Sequence, residues 1–579
     1  MFSRSIERSR RRPLSLPSTR CDSDSFLTMA VLSFVALTLA LAVRPGSQPV
    51  LRHSAQRTQS PQCVTAVKAP AQTSASDAIS DEEPLNVLIA GAGVGGLILA
   101  NCLELSGKPV TYTVLERTGE FKKFGGPIQL ASNAMQAFRE IDPALYSEIE
   151  GRATWTGNRT NGIKDGIRDE WYAKFDLKSP AESRGMPFTC VVDRPDLQDI
   201  LLKRVGHNVR NNAGVESYTT AADGSVTVQL NDGNEVHGDV LIGADGIWSN
   251  VRASMTDTPT RGPESGVTYS GYTVFAGELA YGGGDPECGY KVYIGPQQYF
   301  VITDIGRGNY QWYAFLARPA NSEADEPKPD GTSPYLQNLF DGWSPEVIDI
   351  LKATQEHEIE QRDLYDRPPS VTKPWTDGHV ALLGDAIHAM MPNLGQGGCQ
   401  ALEDASVISE MLTKATKRTE VTEALSQYRN RRLTRSAAVQ GLSRFASDII
   451  IRGFDTPCKV GFYEGAFVFE NVNYAGIVTR LLQPILPIFF AVQFAFLYDG
   501  YKNEFKLDDL KYPAAIAFFG LGILFAFSFV VGGEVALGGL ALEGLIGAEA
   551  AEGISLWVAE QSEAITQIVD SIGGGAGGI

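Results

Sequence analysis

Asn86–Ala90 (NVLIA) is an unbroken apolar run, and a glycine-rich turn follows it at Gly91–Gly96. A short aliphatic run closed by turn residues predicts a strand buried on both faces of a parallel sheet. Leu97–Gly107 (LILANCLELSG) then spaces its apolar residues for a helix that stops at glycine, and Val110–Glu116 (VTYTVLE) predicts a second strand. Together they make a βαβ unit with glycines at its first turn. Further on the pattern alternates. Tyr272–Glu278, Tyr290–Gly295, Gln298–Ile305 and Asn309–Ala317 are aromatic-rich and separated by turn residues, which predicts an antiparallel sheet. From Gln400 to Ala446 the spacing is helical, with charge on one side. A hydrophobic tail follows. Ala514–Gly533 has twenty residues without a charge, long enough to span a bilayer as a helix. Leu481–Leu497 is a second uncharged run, which Pro484 and Pro487 mark as interfacial or buried.

Charge adds an address to this picture. The net charge is −18, yet residues 1–76 hold ten basic and three acidic residues. An acidic body excludes nucleic acid as a partner. Within the basic front end, Ala30–Val43 has the length of a signal-peptide core, and Ala40–Ala42 offers small residues for cleavage. The stretch from Arg44 to Ser76 is basic, hydroxylated and free of acid, like a transit peptide. This tandem predicts import into a plastid bounded by extra membranes; a plain secretory signal or an N-terminal anchor fits the same run. The seven cysteines form no CxxC pair and the six histidines show no paired spacing. A reduced protein with no metal site is expected.

Three constellations carry chemistry. In Gly91-Ala-Gly-Val-Gly-Gly96, Gly91 allows a tight turn, Gly93 lets the backbone approach a pyrophosphate, and Gly96 lets helix pack on strand. Glu116, at the end of the next strand, can accept both hydroxyls of an unphosphorylated ribose, which favours FAD or NAD over NADP. Gly243-Ala-Asp245-Gly246-Ile-Trp-Ser-Asn-Val-Arg252 follows a second apolar strand, DVLIG. Asp385 ends a third, HVALLGD, and the glycines at 395, 397 and 398 then precede a helix. A carboxylate at a strand end can hold polyol hydroxyls, and N–H groups at a helix start can stabilise negative charge on an electron-rich ring.

GAGVGG, GADGIWSNVR and GDAIHAMMPNLGQGG occur in the order seen in single-component FAD-dependent monooxygenases of the para-hydroxybenzoate hydroxylase type. The chain resembles that family from about Pro84 to Ala446. GGPIQLASNA, SRGMPFTCVVDRPDLQDIL, VTYSGYTVFAGE, NYQWYAF and IEQRDLYDRPP are most similar to its carotenoid-epoxidising members. The resemblance implies an α/β fold: a Rossmann-like FAD-binding domain with an interleaved antiparallel β-sheet for substrate, C-terminal helices and a hydrophobic tail. The corresponding divisions are a presequence at 1–83, FAD-binding parts at 84–265 and 371–450, the substrate sheet at 266–370, and a membrane-associating tail at 451–579.

It also implies roles. Gly91, Gly93 and Gly96 would face the FAD pyrophosphate and Glu116 the adenosine ribose. Arg117, Arg194 and Gln198 would lie near the phosphates or ribityl chain. Asp245 and Gly246 would contact the pyrophosphate side, and Asp385 the ribityl hydroxyls. Pro392 to Gly398, including Gly395 and Gly397, would line the isoalloxazine. Relatives carry arginine at Gly125, which leaves Lys122 and Lys123 as the nearby cations. The implied reaction is epoxidation of a xanthophyll ring alkene, with O2 as oxidant and NADPH or reduced ferredoxin as electron donor. Its setting would be a thylakoid or envelope membrane. No side-chain nucleophile is required; His388 invites a proton-transfer role beside Asp385, but a strand-to-helix loop favours a structural histidine. Between Val267 and Phe315, 12 of 49 residues are aromatic against 9% for the chain, so this sheet is the candidate wall for a polyene. Tyr272, Phe275 and Trp312 are the candidate contacts. A flavin hydroxylase for a smaller aromatic or terpenoid substrate, and a flavin-binding isomerase or cyclase without redox turnover, fit the same residues.

Overall fold

Leu85–Ala90 forms strand β1, and Leu85, Val87, Leu88 and Ile89 are wholly buried in the computed structural model. The structure describes residues 77–121, 126–295, 298–321, 328–452, 458–460, 469–472 and 486–499. The leader up to Ser76, the Lys122–Gly125 segment and the Ala514–Gly533 run lie outside the described residues. After β1 come helix α1 (Val94–Leu105), strand β2 (Val110–Leu115), strand β3 (Ile128–Leu130) and helix α2 (Ser132–Ile141). Strands β4 (Thr160–Asp165), β5 (Trp171–Phe175) and β6 (Cys190–Val192) precede helix α3 (Arg194–Val205). Strands β7 (Val209–Arg210) and β8 (Val240–Gly243) and helix α4 (Asn250–Thr256) complete the first part of the chain.

Four long strands follow: β9 (Thr268–Ala280), β10 (Cys288–Gly295), β11 (Gln298–Gly306) and β12 (Asn309–Ala317). Helices α5 (Thr332–Leu339) and α6 (Pro345–Ala353) lead to β13 (Glu360–Asp366), β14 (Thr376–Asp377) and β15 (Val380–Leu382). The last elements are helices α7 (Asp385–His388), α8 (Gly397–Leu412), α9 (Val421–Arg452) and α10 (Leu486–Asp499).

Two sheets organise these elements. The first runs β14-β15-β8-β1-β2-β7, parallel except at its β14–β15 edge. Its strands come from both ends of the family-like region, and the Val/Leu/Ile-rich central strands suit a sheet covered on both faces. Each such side chain contributes about 1.5–3 kcal/mol by leaving water. The second sheet runs β13-β9-β12-β11-β10-β4-β5 and is antiparallel except at β10–β4.

This second sheet corrects the boundary drawn at 266. Thr160–Asp165 and Trp171–Phe175, assigned from the sequence to the cofactor part, pair with β10 and with each other. Their own hydrophobic signal is weak, and a partner more than a hundred residues away decides where they go. The helical stretch from Gln400 divides into α8 and α9. Within the 481–497 run, α10 opens with Pro487 in its first turn, where proline is tolerated. Its Phe494, Phe496, Leu497 and Tyr498 are buried against Leu177, Ala438 and Leu442, so this piece of the tail belongs to the globular core. Among the described residues no helix is long and apolar enough to cross a membrane. A short antiparallel pair, Cys458–Val460 with Phe469–Val472, falls in a separate unit.

Candidate functional site

The registers of the parallel sheet bring the three motifs side by side. Ala90 pairs with Gly243, and Gly243 pairs with Leu382, so the carboxyl ends of β1, β8 and β15 are immediate neighbours. Gly91, Asp245 and Asp385 leave from those ends. In open α/β sheets ligands sit outside the strands' carboxyl ends.

Glycine is needed in this turn for two different reasons. Gly91 has φ +104°, and a Cβ there would lie 2.6 Å from the Ala244 carbonyl oxygen. At Gly96 a Cβ would lie 2.0 Å from the Gly91 oxygen, so α1 could not rest on the turn. Gly93, Gly246 and Gly397 contrast with these: an added Cβ at each meets nothing within 4 Å. Open space in front of three backbone segments is what a closely approaching ligand requires. No side chain caps the start of α1 at Gly93, which leaves N–H groups there to donate outward.

Glu116 closes the turn from beside. It accepts from the Ala92 N–H at 2.8 Å through Oε2, and from the Thr118 N–H and hydroxyl at 2.9 Å through Oε1. Arg117 next to it is exposed. Arg194 begins α3 and is exposed; Gln198, one turn on, is half-buried.

The two aspartates differ. Asp245 Oδ2 accepts from the Asn250 and Val251 N–H groups at 2.8 and 3.2 Å, whereas Oδ1 is buried without a partner. Burial raises its proton affinity, against the Ser249 hydroxyl and those N–H groups. Asp385 is exposed between buried neighbours, Gly384 and Ala386, and makes no side-chain hydrogen bond among the described residues. Protein surrounding its cleft raises its proton affinity, opposed by the charges of His388 and Arg194. A buried acceptor lacking a donor and an open carboxylate, both beside free backbone, fit a polyol–phosphate ligand such as FAD.

The glycine loop forms the next wall. Pro392 is exposed, and Gly395 takes φ +61°. Gly398 packs on Ile128, and α8 starts at Gly397. Asn393 Nδ2 donates to the Tyr299 hydroxyl at 3.3 Å, which ties the loop to the aromatic sheet. On that face Tyr272, Tyr299 and Phe315 cluster with Met391, the Tyr299 and Phe315 rings stacking at 4.2 Å. The Tyr272 hydroxyl donates to the Ser447 carbonyl at 2.6 Å.

Phe275 and Trp312 are not on this face. Both are fully buried in the opposite layer with Phe340, Val347 and Ile350 of the α5–α6 region, and Trp312 Nε1 donates to the Thr354 hydroxyl at 2.8 Å. Side chains alternate along a strand, so Phe275 must oppose Tyr272, three residues away. Aromatic enrichment marked the sheet but could not say which of its faces packs against the glycine loop.

One cluster escaped sequence reading. Glu403 accepts from Arg432 Nη1, from Arg435 Nε and Nη2 at 2.8 Å each, and from Asn133 Nδ2 at 2.8 Å. Asp404 accepts from Arg432 Nε at 2.7 Å, from His388 Nε2 at 2.6 Å and from the Gly384 N–H at 3.0 Å. Burial pushes Glu403 up, but Arg435 and Arg432 overcome it and hold the carboxyl at about 2. Asp404 is likewise lowered against burial, by His388 and Arg432. Arg435 also donates to the Phe496 and Leu497 carbonyls of α10 at 3.2 and 2.8 Å. The network thus fastens α7, α8, α9 and α10 together beneath the glycine loop. Its only sequence signal was an acidic pair followed by two arginines about thirty residues later, on the next long helix.

Comparison with known proteins agrees with this geometry. Zeaxanthin epoxidase, chloroplastic, of Prunus armeniaca is 38% identical over 415 residues, covering 68% of this chain and 60% of that protein. Its counterpart in Arabidopsis thaliana is 42% identical over 369 residues, covering 61% of this chain and 53% of that protein. The chain therefore spans a little over half the length of these curated relatives. Among solved structures, Klebsiella pneumoniae HpxO complexed with FAD and uric acid is similar at 27% identity and TM-score 0.55, covering 63% of this chain and 88% of that one. A salicylate hydroxylase substrate complex shares the fold at 20% identity and TM-score 0.56, over 72% of this chain and 98% of that one. Residues 84–443, more than half of the 579, match the model of the FAD binding domain, and the chain belongs to that family.

Proposed function

We propose that this protein is an FAD-dependent monooxygenase that epoxidises the ring alkenes of zeaxanthin-like xanthophylls in a plastid. The single observation that supports the site is the registered alignment of Ala90, Gly243 and Leu382, from which the three motifs depart side by side. The substrate reading is supported by the similarity to chloroplastic zeaxanthin epoxidases and by the aromatic face of Tyr272, Tyr299 and Phe315.

In this reading the start of α1 at Gly91, Gly93 and Gly96 binds the pyrophosphate through backbone N–H groups, and Glu116 accepts from the adenosine ribose. Asp385 accepts from the ribityl hydroxyls. Arg117, Arg194 and Gln198 hold the phosphate and ribityl side, and Asp245–Gly246 the pyrophosphate edge. Pro392, Gly395, Gly397 and Gly398 would line the ring, where the first N–H groups of α8 would stabilise negative charge. FAD, when bound, supplies the redox and oxygen-activating chemistry. The chain's part is to orient the alkene against the ring and keep water away, which the apolar Tyr272–Tyr299–Phe315–Met391 wall can do. NADPH or reduced ferredoxin delivers the electrons, and the hydrophobic tail brings the site to plastid membrane lipid, where the carotenoid dissolves.

The test is incubation of the FAD-loaded full chain, in lipid, with reductant, O2 and zeaxanthin. Chromatography should resolve mono- and di-epoxide. Hydroxylation of a small phenol with no carotenoid epoxide would replace this reading with an aromatic hydroxylase. Substrate that never stimulates reductant consumption would leave a flavin-binding protein without oxygenase turnover.

A further inference from the structure

Arg252 of α4 and Arg367 just after β13 are 4% and 3% exposed, and neither meets a carboxylate in the cavity they line. Arg252 Nη1 donates to the Ser265 carbonyl at 3.2 Å. Arg367 donates to the same carbonyl at 2.8 Å through Nη1 and to the Ile247 carbonyl at 2.8 Å through Nη2. The Nε of both guanidiniums is buried without a partner. Lys373, half-buried, adds a third positive charge. All three converge on one point. A Cβ placed on Gly266 would lie 3.0 Å from Lys373 Nζ, 3.7 Å from Arg367 Nη1 and 3.9 Å from Arg252 Nη2.

Buried cations are ordinarily paired, because an uncompensated charge out of water is very costly. Carbonyl dipoles satisfy some of these N–H groups but neutralise no charge. The adjoining cavity, about 10 Å³, is lined by the three cations with Trp375, Ile387 and His388, and His388 Nδ1 is a further buried atom without a partner. That volume admits one water-sized body. We propose that Arg252, Arg367 and Lys373 form a binding site for a single chloride-sized inorganic anion, distinct from the residues assigned to the cofactor. Held there, the anion supplies the missing counter-charge. It fixes the two arginines that anchor the Ile247 and Ser265 carbonyls, and so braces the loop carrying Asp245 against α7. In keeping with the geometry, burial lowers the proton affinity of Arg252 and of Lys373, and Arg252 lowers that of Lys373 further, with no acid offsetting either.

The test uses the FAD-saturated full chain at constant ionic strength. Chloride is titrated against gluconate, which is too large for the cavity, and binding is read as excess 35Cl NMR linewidth. Crystals soaked in bromide give the position by anomalous scattering. The expected result is saturable broadening, a bromide peak among the three cations, and at least tenfold weaker binding in Lys373→Met, a partly exposed position where the fold and FAD content can be checked independently. Non-saturable broadening, equal binding by Lys373→Met, or no bromide at this point would overturn the proposal. So would a site that takes phosphate and refuses chloride.

Discussion

Glu403→Gln tests the claim that a charge-balanced buried network holds the glycine loop in place. Two arginines face two carboxylates there, all at most 7% exposed at the side chain. The substitution keeps the shape and removes one negative charge, which leaves Arg435 without a carboxylate partner among the described residues and Arg432 with Asp404 alone. Breaking a buried pair from one side costs about 3–5 kcal/mol. The carboxyl's own titration gives a second figure. Holding Glu403 at about 2 instead of 4.5 corresponds to about 3 kcal/mol of stability at neutral pH. The two agree. The sign follows from a depressed native value: the contribution is full above 4.5 and is lost as pH falls towards 2. Urea denaturation of the FAD-saturated protein should therefore show the variant destabilised by about 3 kcal/mol at pH 7, a large share of a typical domain's stability. The variant's deficit should shrink as both proteins are compared at pH 5, 4 and 3. A double variant with Arg435→Met should recover part of the loss, since the remaining charges balance again. A deficit below about 1 kcal/mol, or one independent of pH, would refute the reasoning.

Asp385→Ala should weaken FAD binding about 10–100-fold, as expected for losing hydrogen bonds to a charged group, and full retention of flavin absorbance after gel filtration would remove the ribityl role. Gly93→Ala should melt within a few degrees of the parent yet bind FAD poorly, because its Cβ meets only the open cleft. Gly96→Ala should instead unfold the turn, since its Cβ would strike the Gly91 oxygen; equal melting temperatures for the two would contradict this distinction. Phe275→Leu should lower stability by about 1–3 kcal/mol in denaturant and leave the KM for carotenoid unchanged, whereas Tyr299→Leu should raise that KM; the reverse pattern would place substrate on the other face of the sheet.

The sequence by itself determined the local chemistry: an aliphatic run must be buried, a glycine turn must precede α1, and an acid must end β2. Such features depend on neighbours within a few residues, so spacing and residue type suffice. Tertiary structure alone decided the rest. That Gly91, Asp245 and Asp385 leave neighbouring strand ends follows from strand order, which links residues 139 to 153 positions apart through ladder hydrogen bonds. Which side of the aromatic sheet faces the loop depends on register, and a shift of one residue exchanges the faces. The Glu403–Arg432–Arg435 network left only an acidic pair and two distant arginines as its trace, and the Arg252–Arg367–Lys373 cluster left none, because charge pairing is a matter of distance across the fold and the spacing of arginines does not report the absence of water around them.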